Sequence, residues 1–147
     1  ATFMYYTDAP ALSGFNERMK WEKHAVDQIT VKTSRLDDII STDCRIDLIK
    51  IDVEGAELLV LNGATKTLQR CRPIVLFEAG LSGQDKILSP PEQLFDLFNS
   101  CGMVVGLMEY RLRGKGHFSR EEFCSQFYKG YNYFYMAYDP QTFTPVA

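Results

Sequence analysis

The chain is poor in basic charge, in histidine and in closely spaced cysteine. Its 16 Lys and Arg stand against 19 Asp and Glu, a net charge of -3, so nothing draws it generally to a phosphate backbone and no nucleic-acid partner is expected. Two histidines, His24 and His117, and four cysteines with no C-x-x-C among them argue against structural zinc. Cys44, Cys71, Cys101 and Cys124 each stand in or beside an apolar stretch and read as small core hydrophobes of a reducing compartment. No apolar run approaches the ~20 residues of a membrane span, and the opening ATFMYYTDAP holds no basic leader followed by an apolar stretch. The expectation is a cytoplasmic chain with no membrane partner. Repeats, low-complexity tracts and Pro/Gly/Ser-rich linkers are also missing, so the 147 residues, 46% of them hydrophobic, read as one domain able to bury its own core.

What is there is an alternation of strands and helices. Residues 2–7 and 29–33 are rich in β-branched and aromatic side chains and are predicted strands. Ser34 to Asp37 places a hydroxyl three residues before a carboxylate, a capping-box pattern that predicts a short helix through Ile40. Residues 46–53 (IDLIKIDV) and 74–77 (IVLF) are nearly continuous in apolar side chains, the pattern of parallel strands covered on both faces. Between them Leu58, Leu61, Ala64 and Leu68 keep helical spacing, and Asn62-Gly63 divides that stretch into two helices. Ser89 to Glu92, with Pro90 and Pro91, predicts the next helix start, and Gly102 its stop. A strand over 103–110, a solvated basic loop over 111–116, a helix opened by Ser119 and Glu122, and an aromatic core strand over 132–138 complete the series.

In an open α/β sheet, ligands bind where strands end and turns lead into helices. Residues 52–57 are such a place, with Asp52 at a strand end, Glu54 and Gly55 in the turn and Glu57 in the first helical turn. Glu54 and Glu57 gain from the positive end of the helix dipole, about 0.3–1 kcal/mol, which alone needs no catalytic role. Asp52, ending an apolar strand, should be desolvated unless it meets a donor, a cation or a ligand. Lys50 in the same strand either pairs with one of these carboxylates or orients a substrate oxyanion. Glu78 ends the next strand, so Asp52 and Glu78 should project over one crevice able to hold hydroxyls or a cation. One sequence does not count the oxygen ligands a metal needs, and no metal is assigned. His24 becomes a substrate-side general base only if its loop folds over the crevice.

LDDII at 36–40, IDLIKIDVEGAELLVLNGA at 46–64 and PIVLFE at 73–78 occur in that order. This pattern resembles the C-terminal half of the FkbM family of S-adenosylmethionine-dependent methyltransferases, over residues 1–138 and most closely over 36–78. The resemblance implies an α/β fold, the C-terminal part of a class I, Rossmann-like methyltransferase with a mixed sheet flanked by helices. It implies S-adenosylmethionine as cofactor and transfer to a hydroxyl of a sugar or polyketide-like acceptor. It also implies that Asp52 and Glu54 face the transferring methyl and the acceptor, with Glu78 on the adjoining strand end; these three are the expected catalytic residues, and Lys50, Glu57 and His24 are expected on the substrate side from their own positions. The family's first strand, glycine-rich turn and ribose-gripping acid should precede this sequence. Residues 1–147 therefore read as a partial methyltransferase domain lacking the cofactor-binding half, and inactive alone. The strand carrying DVEG would then have an open edge, filled by the N-terminal strand or by a second copy in a homodimer. The alternative is a non-catalytic α/β module that dimerises through that edge. A phospho-receiver domain would also set an Asp at a strand end, but its acidic pair and its late Lys do not match.

Overall fold

The computed structural model describes residues 1–10, 13–15, 25–81, 88–129 and 133–142. Two strands, β1 (Thr2–Tyr6) and β2 (Val26–Thr30), pair antiparallel as a separate ribbon, with Gly14 bridged to Met4. The second strand lies three residues earlier than predicted, because its register is set by the ribbon, Phe3 opposite Ile29, and not by the apolar residues near Val31. A short helix α1 (Leu36–Ile39) follows, then β3 (Leu48–Ile51), α2 (Glu57–Asn62), α3 (Thr65–Cys71), β4 (Ile74–Ala79) and α4 (Pro91–Ser100). The chain ends with β5 (Val104–Leu107), α5 (Met108–Leu112), α6 (Arg120–Phe127) and β6 (Tyr133–Tyr138). The main sheet has the order β3-β4-β6-β5; β3 and β4 are parallel, and β6 runs antiparallel to both its neighbours. The fold is mixed α/β, a mixed sheet flanked by helices.

Aromatic packing fixes the core on one sheet face. Phe77 stacks on Phe98 of α4 at 5.3 Å and on Tyr135 at 5.4 Å, and Phe123 of α6 meets Tyr135 edge-on at 5.0 Å. These rings are fully buried with Leu61, Leu68 and Leu94, and such contacts add about 0.5–1.5 kcal/mol per pair beyond area burial. The other face is only partly covered. Arg111 of α5 lies over the Tyr138 ring, so this residue of the predicted solvated loop is buried, while Phe134 stays 52% exposed. The aromatic strand is thus core at Tyr135 and Tyr138 and surface at Phe134; Tyr131 lies outside the described residues.

β3 departs from the prediction of a strand covered on both faces. Among the described residues it pairs only with β4, Leu48 is 58% exposed, and within the strand only Ile51 is buried. The N-terminal strand does not pair with β3: β1 joins β2 in a separate ribbon, and among the described residues the other edge of β3 has no strand beside it. Composition reports that a strand is apolar; it does not report which neighbour lies beside it.

Two of the three predicted capping boxes are not formed. Asp37 turns away from its own helix and caps α3: its carboxylate accepts from Lys66 N–H at 3.0 Å, Thr67 N–H at 2.9 Å and the Thr67 hydroxyl at 2.8 Å. Ser89 likewise serves another element, as described below. The box at Ser119 and Glu122 forms in both directions, at 3.2 and 2.7 Å. The strand predicted over 103–110 ends at Leu107, because Met108 to Leu112 are mostly strong helix formers. Gly106 is crossed closely there: a Cβ at this position would lie 3.4 Å from the Gly116 carbonyl. Gly102 stops α4 with φ +72°. The four cysteines are free and only Cys101 is buried; Cys44 is exposed, which corrects its reading as a core residue.

Candidate active site

In the parallel register β3 ends two residues before β4, which runs on to Ala79, so Glu78 is the second-last residue of β4 and not its end. Ile51 pairs with Phe77, so Asp52 and Glu78 come one residue beyond that shared rung, at the same end of the sheet. Lys50 and Asp52, two apart on one strand face, form an ion pair with Nζ 2.7 Å from Oδ2. Both side chains are exposed, so the desolvation expected of Asp52 does not arise. Such a pair contributes little to stability, a median of about 0–1 kcal/mol.

The chain then turns tightly. Ala56 N–H donates to the Val53 carbonyl at 3.3 Å, and both intervening residues have positive φ, Glu54 at 53° and Gly55 at 96°. This is the signature of a type I′ turn. Glycine occupies its second position without penalty, but a glutamate held in the left-handed region costs roughly 1–2 kcal/mol. Glu54 is half-buried, and Gly14 of the N-terminal ribbon lies against its stem; a Cβ at Gly14 would sit 3.7 Å from Glu54 Cβ.

Glu57 is the deeply buried acid, 2% exposed. Its Oε1 accepts from Gly55 N–H at 2.8 Å. Burial pushes its carboxyl above the usual carboxylate range, and the nearby Glu78 charge pushes the same way, against the lowering effect of the bonds it accepts. Ser89, also 2% exposed, accepts from Leu58 N–H at 2.9 Å and donates to the Gly55 carbonyl at 2.7 Å. It caps α2, whose own N-cap residue Ala56 has no side chain to do so. Sequence reading did not place Ser89 here; its hydroxyl-to-carboxylate spacing suggested a cap for α4. His24 lies outside the described residues. Among the described residues no group of three or more His, Cys, Asp or Glu could hold a metal ion, and no helix is long and apolar enough to cross a membrane.

Beside this turn, a groove of about 690 Å³ follows the open edge of β3, lined chiefly by apolar side chains such as Phe15, Ile39, Ile49, Leu59 and Val60.

A mixed α/β sheet with acids gathered where two parallel strands end is a methyltransferase-like architecture. The model of the Methyltransferase FkbM domain family matches residues 3–105, more than half of the chain, and the chain belongs to that family. The match takes in the N-terminal ribbon and the whole 52–57 turn and stops within β5. No curated protein and no solved structure matches the chain. The family implies a methyl donor. Among the described residues the turn after β3 holds one glycine, Gly55, and β4 is followed by Gly80, with Gly83 outside the described residues.

Proposed function

We propose that the chain forms the acceptor-handling part of an S-adenosylmethionine-dependent O-methyltransferase acting on a hydroxyl of a sugar or polyketide-like molecule. What supports this reading, besides family membership, is the strained turn at Glu54, two residues after the ion-paired Asp52, with Glu78 one rung past the last β3–β4 pair. A carboxylate within hydrogen-bond reach of the acceptor O–H takes its proton as the oxygen becomes nucleophilic, worth ~10²–10⁴ in rate. Glu54 has that role. Glu78 and Asp52 orient the acceptor by accepting from its other hydroxyls, and Lys50 holds Asp52 in place while offering a donor at the rim. Glu57 stands behind the turn. The test supplies tritiated S-adenosylmethionine and a panel of methyl glycosides to the native protein. Label transfer to an oxygen, lost when that hydroxyl is replaced by hydrogen, supports the reading; no transfer to any hydroxyl contradicts it.

The open edge of β3 favours a second reading, in which the chain binds another strand there and acts as an interaction module, as in a homodimer. An unpaired apolar edge is a template for strand addition. Solution molar mass measured from micromolar to millimolar concentration tests it: one unchanging monomer mass opposes self-pairing.

A further inference from the structure

Two buried side chains, Glu57 and Ser89, hydrogen-bond the β3–α2 turn where its backbone is strained. Type I′ turns select Asn-Gly or Asp-Gly, and here the pair is Glu54-Gly55, so local propensity does not account for Glu54 at φ 53°. The surroundings do. Glu57 grips the turn by the Gly55 N–H, and Ser89 grips it by the Gly55 carbonyl while also fixing Leu58 N–H. One peptide unit on each side of Gly55 is thus held, and both holding groups are buried. Ser89 is 34 residues from Gly55 in the chain and lies two residues before the start of α4, so it ties the turn to the segment entering the helix that carries Phe98 in the core. Strain of this kind persists only where neighbours over-determine it, and it gathers at functional sites.

We infer that Ser89 and Glu57 are positioning residues that fix the Glu54 carboxylate at the acceptor, an assignment that rests on Glu54 being the group that meets the acceptor hydroxyl. Neither touches the reacting atoms. Losing one grip lets Glu54 relax toward ordinary backbone angles, which misplaces its carboxylate without changing its chemistry.

The test compares wild type with Ser89→Ala, Glu57→Ala, Glu57→Gln and Glu54→Gln. Backbone NMR reads the turn, and tritium transfer from S-adenosylmethionine to methyl glycosides reads the chemistry. Ser89→Ala should move the Glu54 ¹³Cα shift and speed amide exchange at Ala56, whose own partner is untouched, about ten-fold or more. Exchange at Phe77 and Tyr135 serves as the check that the core is intact. Glu57→Ala should do the same, while Glu57→Gln, whose amide oxygen still accepts from Gly55 N–H, keeps the turn. Both alanine variants should lower kcat with KM little changed, and Glu57→Gln should recover most of the rate. The inference is overturned if the turn signals of both alanine variants match wild type. It is also overturned if the turn loosens with kcat unaltered while Glu54→Gln still abolishes transfer. If Glu54→Gln transfers normally, the acceptor role of Glu54 fails first, whatever the turn does.

Discussion

Replacing Asp37 by alanine tests the packing that holds α1 against α3. The Asp37 side chain is 1% exposed and accepts three hydrogen bonds from α3, with the Arg35 guanidinium a further 3.9 Å away. The Lys66 N–H lies at the surface and recovers a water on truncation, so its loss is small. The Thr67 N–H and hydroxyl are more enclosed, and a buried group left unsatisfied costs about 1–3 kcal/mol. The sum is about 2–4 kcal/mol, or roughly 5–12 °C in Tm for a domain of this size. Urea titration measures it, with Asp37→Asn expected to lose about half as much because one acceptor oxygen remains. The pH dependence has a definite sign. Bonds from Lys66 and Thr67 hold the Asp37 carboxyl below its ordinary 3.8, overcoming the opposing effect of burial, which is the largest single influence. Its contribution is therefore present above pH 3.8 and is lost as pH falls below that value through the folded-state one. A Asp37→Ala protein within 0.5 kcal/mol of wild type, or one with unchanged acid sensitivity, would refute the reasoning.

Other outcomes follow from the same contacts. Glu57 has its carboxyl raised above the ordinary 4.5, so the folded state binds its proton more tightly and stability should fall as pH rises from 4.5 through the folded value. Glu57→Gln should remove that slope and be the more stable protein at neutral pH, measured by urea titration from pH 4 to 8. Phe77→Ala empties the centre of the ring stack and should cost about 3–5 kcal/mol, enough to unfold a marginal domain, read by circular dichroism. If the β3 edge pairs with another chain, Leu48→Lys should reduce any concentration-dependent rise in molar mass by light scattering.

Features set by near neighbours in the chain were legible in the sequence, and those set by distant ones were not. The strand, turn and helix around residues 48–62, the break at Asn62-Gly63 and the box at Ser119 and Glu122 are local and could be read directly. The open edge of β3 could not, because an apolar strand looks alike beside one neighbour or between two. Asp37 and Ser89 satisfied a local capping pattern, yet each serves a helix about 30 residues away, and a pattern search has no means of weighing that competition. At the site, Asp52 and Glu78 stood out as strand-end acids, Glu54 as a turn acid and Glu57 as an acid of the first helical turn. Their environments were not: Asp52 is exposed and ion-paired, while Glu57 is the buried acid. Burial depends on long-range packing, of which the bond from Ser89, ahead of α4, to the Gly55 carbonyl is one part.

The most direct test of the account is the rate of methyl transfer by Glu54→Gln set beside Asp47→Asn, an exposed acid that pairs with Arg45 away from the turn. Glutamine keeps the size of the side chain and removes its ability to take a proton. The account predicts that Glu54→Gln falls about a hundred-fold or more in kcat while Asp47→Asn stays within two-fold of wild type. A Glu54→Gln enzyme as fast as wild type would contradict it.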